Sequence, residues 1–301
     1  MRVCADAKRN KARIISSIRK FGYSPEHNYH HHLYRETPDK KFIFFDFGKR
    51  RGVLAIYNKK NNVWYLTSEI LAPPDERLGI FLECIEYMLR KKKARKVSVE
   101  AGEEFKSKVF KRLKNSKYKL SACYILYWPV YNLKGWSLKL RGKQWKKLRN
   151  IRNRFYSRSN LKTLGPGGVS RDSLRKILKL WLKRRNSRDA VDKYYYLNII
   201  NNNFKGFDSS RVISIDGEPC SFSAGWQVPN SNIFYCGVGI FNYKHKDLGD
   251  FVNLDDLIYL KKAGYKCVDL GGSDKALLRF KKKLRPERIY KTYTFYISRK
   301  K

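Results

Sequence analysis

The sequence predicts an α/β protein of two tandem units, each a mixed sheet with flanking helices, joined by a basic helical segment. One order of elements, three strands, helix, strand, helix, strand, can be read twice along the chain. Hydrophobic residues make up 42% of the 301 residues and aromatics 15%, enough for a packed core despite the charge. Between the two readings lies segment 131–190, with 19 Lys/Arg against Asp172 and Asp189 alone. These features divide the chain into a basic N-terminal segment (1–40), a first unit (41–132) and a second unit (133–301).

In the first unit, 42–47 (FIFFDF), 52–57 (GVLAIY) and 63–71 (VWYLTSEIL) read as strands. Pro73 and Pro74 break the chain, and Asp75 and Glu76 are placed to start a helix with Leu78, Phe81, Ile85 and Met88 as its apolar stripe. A short strand at 96–100 (KVSVE) leads to a helix carrying Phe105, Val109 and Leu113, and the apolar segment 120–131 closes the unit. The order returns with strands at 211–215, 220–228 and 233–240, the first two joined by the turn Asp216-Gly217. Leu254, Leu257 and Ile258 belong to a helix ended by Gly264, followed by a strand at 266–270 (KCVDL) and the turn Gly271-Gly272-Ser273. The next helix starts at Asp274 with Leu277, Phe280 and Leu284 inward and Arg279, Lys281, Lys282 and Lys283 outward. Pro286 stops it before a last strand at 290–298.

The connecting segment holds a helix at 141–156, a loop at 164–170 and an amphipathic helix with Leu174, Ile177, Leu178, Trp181 and Leu182 inward. In the first of these, Trp145, Leu148, Ile151 and Phe155 can face a core. Arg149, Asn153 and Tyr156 share a neighbouring face suited to an anion, since Arg offers a planar fork and Asn a second hydrogen bond. A solvated basic face packed by its apolar stripe is the alternative.

The formal charge is +41, from 67 basic and 26 acidic residues. Self-repulsion of that size points to a polyanionic partner, with nucleic acid the first candidate and an anionic membrane surface the second. The six cysteines are scattered without a CxxC pair, which argues against a metal site and fits a reducing cytoplasm. His27, His30, His31 and His32 cluster in HNYHHH without a second ligand group at metal-site spacing. No apolar run reaches the ~18 residues of a membrane span, and the basic N-terminus lacks the apolar run of a signal peptide.

Segment 133–155 (LKGWSLKLRGKQWKKLRNIRNRF) and segment 268–286 (VDLGGSDKALLRFKKKLRP), with a Phe-Lys pair in the latter, carry a family resemblance. With the element order, they resemble the tandem-GNAT catalytic domain of the phosphatidylglycerol lysyltransferase family and, more distantly, the FemABX aminoacyltransferases. The resemblance covers roughly 40–298. It implies two GNAT-like units, acyl or aminoacyl transfer, and a donor held by side chains, with aminoacyl-tRNA in that role. CoA-dependent GNATs place a glycine-rich turn after their fourth strand to hold pyrophosphate on backbone amides. Here that place reads FNYKHKDLGDFVN (241–253), with one glycine and the carboxylates Asp247 and Asp250, which disfavours acetyl-CoA.

Asp247, Asp250, Asp269 and Lys281 are therefore the catalytic candidates. The loop carboxylates could orient an amine or take its proton, and Asp269 on an apolar strand needs a partner. Arg149, Arg152, Asn153, Arg154, Gly239, Leu270, Gly271, Gly272 and Ser273 are candidates for holding the donor and its phosphate. Lys143, Lys146, Lys147, Arg158, Lys183, Arg184 and Arg185 are candidates for RNA. Gly271–Asp274 also reads as a plain strand-to-helix turn with an Asp cap, and Trp136, Trp226 and Tyr235 as core. An amine would attack an activated carbonyl between splayed strands of the second unit, near Gly239 and Leu270, with backbone amides stabilising the oxyanion. The expectation is a cytoplasmic acyl or aminoacyl transferase working with RNA, tRNA being the partner, as donor or as the acylated substrate. A CoA-dependent N-acetyltransferase, a lipid aminoacyltransferase on an anionic membrane and a non-catalytic RNA-binding protein stay open.

Overall fold

The computed structural model describes residues 1–136, 138–157, 160–185 and 191–300, the Cys123 side chain excepted. Its first half runs β1 (Arg2–Cys4), α1 (Lys11–Phe21), α2 (Tyr29–Leu33), β2 (Lys40–Asp46), β3 (Gly52–Asn58), β4 (Val63–Leu66), α3 (Arg77–Glu86), β5 (Lys96–Ala101), α4 (Glu103–Leu113) and β6 (Tyr118–Asn132). The middle segment holds α5 (Lys146–Tyr156), β7 (Lys162–Leu164), α6 (Arg171–Lys183) and α7 (Lys193–Asn201). The second half follows as β8 (Ser209–Ile215), β9 (Glu218–Gln227), β10 (Ile233–Phe241), α8 (Leu248–Lys262), β11 (Cys267–Asp269), α9 (Lys275–Lys282) and β12 (Arg288–Arg299).

The strands among the described residues share one sheet, in the order β1-β2-β3-β4-β5-β12-β6-β11-β10-β9-β8-β7. Among the described residues, only β4 with β5 and β10 with β11 run parallel. The two halves exchange their last strands. β12 lies between β5 and β6, paired along its length from Arg288↔Val130 to Arg299↔Tyr118, while β6 also pairs with β11. Strand order in sequence does not announce this exchange, because β6 and β12 are both half-buried runs that either half could accept.

Each parallel pair comes apart. The β4–β5 ladder ends at Leu66↔Val99, and the β10–β11 ladder ends at Tyr235↔Asp269. This is why the expected strand 63–71 stops at Leu66: beyond it the chain leaves β5, and Leu71 instead bridges back to Gly52. Between Tyr235 and Val238 the β9–β10 register shifts, so a bulge turns β10 away from β11 where the gap opens.

Separate apolar clusters cover the two faces. α3 and α4 bury Phe81, Ile85 and Val109 with Phe45, Val97 and Phe295, and α5 and α8 bury Ile151, Phe155, Phe251 and Leu257 with Ile213 and Val268. Full burial of each such side chain contributes about 1.5–3 kcal/mol. α6 and α7 pack on β8, β9 and β10, whereas α1 and α2 pack on β2 and β3. Trp128, Trp226 and Tyr235 meet where the halves join. The expected helix 141–156 begins late, as a 3₁₀ turn (Lys143–Trp145) before α5, because Leu140 and Gly142 take positive φ. In α9 the expected faces shift: Leu278 and Lys281 are buried with Leu284 just beyond, while Leu277 and Phe280 are half-buried at the cavity described below.

Candidate active site

The β10–β11 gap exposes the β10 edge from Cys236 onward and the end of β11 at Leu270. Gly239 faces open space here, with no atom of the described residues within 4 Å of where a Cβ would stand. Across the gap, Gly271 has φ +83°, a backbone conformation glycine adopts without the Cβ penalty. Its N–H donates to Asp269 Oδ1 at 2.7 Å, folding the turn back on the strand. Tyr290 Oη donates to the other carboxylate oxygen at 2.7 Å. Burial pushes the Asp269 carboxyl up to about 6, against these two bonds.

Lys281 comes to the same turn from α9. Its Nζ donates to Leu270 O at 2.5 Å and Gly271 O at 3.0 Å, while Tyr131 Oη donates to its carbonyl at 2.8 Å. Burial lowers its ammonium to about 8, with Asp269 opposing. Lys281 therefore fixes two carbonyls of the turn and keeps a positive charge at neutral pH beside the gap. Ser273, expected near the donor, is buried, and its hydroxyl donates to Gly271 O at 3.2 Å. Asp274 caps α9, accepting from Leu277 N–H at 2.7 Å.

The gap opens into a cleft of about 950 Å³, whose lining includes Gly239, Asp247, Asp250, Leu270, Gly271, Gly272, Lys281 and Arg185. Asp247 and Asp250 stand at the start of α8, and each is paired. Arg154 Nη2 donates to Asp247 at 2.8 Å, and Lys283 Nζ donates to Asp250 at 2.9 Å. The Arg154 hydrogen bond holds the Asp247 carboxyl below its ordinary value, which makes it a weak base. A buried network lies beneath: Arg211 donates to Asp255 at 2.5 Å and Asp256 at 2.6 Å, and Ser223 Oγ donates to Asp256 at 3.0 Å. Burial lifts the Asp256 carboxyl to about 6, with Arg211 opposing.

Of the expected phosphate-holding arginines, Arg154 reaches the cleft through Asp247, whereas Arg149 and Arg152 turn to the loop before α5. Arg149 Nη1 donates to Leu140 O at 2.5 Å and to Gly142 O at 3.3 Å. Arg152 Nη1 donates to Leu138 O at 2.6 Å and its remaining nitrogens to Asn153 Oδ1. Both spend donors on carbonyls of the loop before α5. Lys143, Lys146, Lys147, Lys183 and Arg184 are exposed, and Arg185 lies over the Trp181 ring, 4.8 Å from its centroid. Arg158 lies outside the described residues.

Sequence reasoning missed the cleft's other wall. Glu26, His31, Arg35, Thr67, Glu100 and Tyr195 line it, and the β4–β5 gap, marked by Thr67 and Glu100, opens into the same space as the β10–β11 gap. Glu26, Thr67 and Glu100 also line a second cavity of about 230 Å³ with Trp128, Asp269 and Tyr290. Two signals were present in the sequence: an acidic residue ending the apolar strand KVSVE, and a histidine run with no metal spacing. His27, His31 and His32 are buried and used internally; His27 Nδ1 accepts from the Tyr23 and Ser24 N–H groups at 3.0 Å. Among the described residues, no three His, Cys, Asp and Glu side chains are grouped to hold a metal ion, and no helix is long and apolar enough to cross a membrane.

No protein-family model matches the sequence, and comparison with curated proteins gives no match. Solved structures do match along the whole length. L-PGS from Bacillus licheniformis superposes with a TM-score of 0.67 at 16% identity, over 96% of this chain and 91% of that one. A tandem GNAT protein from the clavulanic acid biosynthesis pathway gives 0.58 at 10%, over 98% and 96%, and FemX gives 0.56 at 11%, over 98% and 97%. The fold is that of tandem GNAT proteins, as the element order and the two segments at 133–155 and 268–286 implied.

Proposed function

We propose that the chain is an acyltransferase that moves an aminoacyl group from an RNA-linked ester to an amine in the cleft. One observation carries this: the β10–β11 gap, with Gly239 open on one side and the Lys281-held Leu270–Gly271 turn on the other. A carbonyl seated there lies between an uncovered strand edge and a buried cation, the two groups that favour a developing oxyanion. The amine attacks the ester carbon, a C–N bond forms, the C–O bond to the RNA hydroxyl breaks, and the amine's proton passes to that oxygen. An α-amine near pKa ~7.7–8.0 is already partly free at neutral pH, so little is asked of a base. Placement supplies much of the remaining rate.

Two features support an RNA donor over acetyl-CoA. The net charge of +41 fits a polyanion, and Lys143, Lys146, Lys147, Lys183 and Arg184 are exposed on the segment that precedes the second half. At the start of α8, where a pyrophosphate would need free amides, stand Asp247 and Asp250. Calorimetric titration with acetyl-CoA is expected to give weak or no binding. Tight, stoichiometric binding with RNA-independent turnover would instead make the protein a CoA-dependent acetyltransferase.

A further inference from the structure

Beyond the β10–β11 gap the cleft continues into a chamber between the halves. Its walls include Glu26, His31 and Arg35 from the N-terminal segment, Glu100 at the end of β5, Tyr195 on α7 and Tyr235 on β10. Glu26 is 7% exposed and His31 3%, so both are nearly cut off from bulk solvent. Glu26 Oε1 faces Arg35 Nη2 at 3.5 Å and His31 Nε2 at 3.7 Å, the second too long for a hydrogen bond. The His31 ring is fixed from its far side, Nδ1 lying 3.0 Å from Tyr195 Oη. Among the described residues, Glu26 Oε2 and His31 Nε2 have no hydrogen-bond partner. Buried polar atoms of this kind are costly unless something satisfies them.

The charges point the same way. Burial pushes the Glu26 carboxyl up, but the Arg35 guanidinium overcomes it and holds it well below its ordinary value, so it is ionised. Burial lowers His31 to about 4, so it is neutral. Glu100 is pushed up to about 8 by burial and then by the charge on Glu26, against the Thr292 hydrogen bond and Arg35. Burial and the charge of Glu26 thus keep Glu100 protonated, while Arg35 keeps Glu26 ionised.

We propose that this chamber is a subsite for a primary ammonium group, accepted by Glu26 Oε2 and Glu100 and walled by the rings of Tyr195 and Tyr235. An ammonium brings three N–H donors, which Glu26 Oε2 and the Glu100 carboxyl can accept, and its charge suits aromatic faces. A phosphate or carboxylate would meet the ionised Glu26. The subsite rests on the transfer proposal only in assigning the ammonium to one of the substrates; binding of a free amine is measured without turnover.

The test is calorimetric titration of the full chain with n-butylammonium chloride and, as its neutral counterpart, n-butanol. Wild-type protein is expected to prefer the ammonium by about ten-fold or more, and Glu26→Gln to lose that preference. Because Glu26 also holds Arg35, Glu100→Gln, close in shape and charge to the protonated group, is the second variant, with about five-fold weaker ammonium binding expected. Equal affinity for the two probes, or a preference that survives undiminished in a folded variant, overturns the subsite. Ammonium binding without any acyl transfer leaves the subsite standing and removes the transfer proposal. Transfer by a protein with no ammonium preference does the reverse.

Discussion

Asp269, Asp256 and Glu100 are carboxyls that burial pushes upward, to about 6, 6 and 8. In each case the folded chain holds a proton that the unfolded chain has already released, so the unfolded state binds fewer protons between the two values. Their contribution to stability therefore falls as pH rises from about 4 through 6, and further toward 8 for Glu100. Lys281 works in the opposite direction at higher pH: its folded value of about 8 lies below the unfolded one, so its contribution rises from about 8 toward 10.5. The histidines also oppose the carboxyls, since burial lowers His27, His30 and His31 to about 4 and their contribution rises from there to 6.5; Asp269 alone accounts for up to about 3 kcal/mol of the carboxyl decline. In urea denaturation across pH 4–6, Asp269→Asn should show a more positive slope of stability against pH than wild type, since the amide carries no proton to lose. An unchanged slope in that variant would mean Asp269 ionises in the fold as it does in water.

At the level of elements, the strand exchange makes the halves depend on each other. Phe295 on β12 is 1% exposed in the cluster with Phe81 and Val97, while the same strand pairs with β6, which in turn pairs with β11. Phe295→Ala should cost about 3–5 kcal/mol. Hydrogen exchange should show protection lost together in β3 and β9, on opposite sides of the exchange. Loss confined to β3 would show that the halves unfold separately. The sequence made much of this architecture legible, because the strands and helices of both units announce themselves by apolar period and by breakers such as Pro73-Pro74 and Asp216-Gly217. Gly239 and Leu270 could be placed at the gap only through what the resemblance to GNAT units implies, since period and breakers do not tell that two strands part. The chamber was not legible, because its pairs are remote in sequence: His31 meets Tyr195 across 164 positions, and Trp226 Nε1 donates to Pro25 O across 201. The inward turn of Lys281 was also hidden, since helical period placed it with its charged neighbours and only the carbonyls of Leu270 and Gly271 explain its burial.

Taken as one body, the molecule joins a cleft of about 950 Å³ to a surface with a large positive excess. If 6–10 phosphates are contacted, RNA affinity should fall by roughly 10³–10⁵ between 50 and 200 mM salt. Lys146→Ala and Lys147→Ala should each reduce the salt slope by about one unit. These lysines are exposed, whereas Arg149 and Arg152 are engaged with the loop carbonyls at 138–142, so the lysines report contact without disturbing the fold. A salt-independent affinity would remove the polyanion partner. The most direct measurement is single-turnover transfer from RNA charged with a radiolabelled amino acid to a soluble primary amine, comparing wild type with Lys281→Met. The account predicts a labelled amide product with wild type and at least a ~100-fold slower rate with the variant, as for loss of one oxyanion-stabilising group. No product from charged RNA, with acetyl-CoA serving as donor in the same assay, would contradict it.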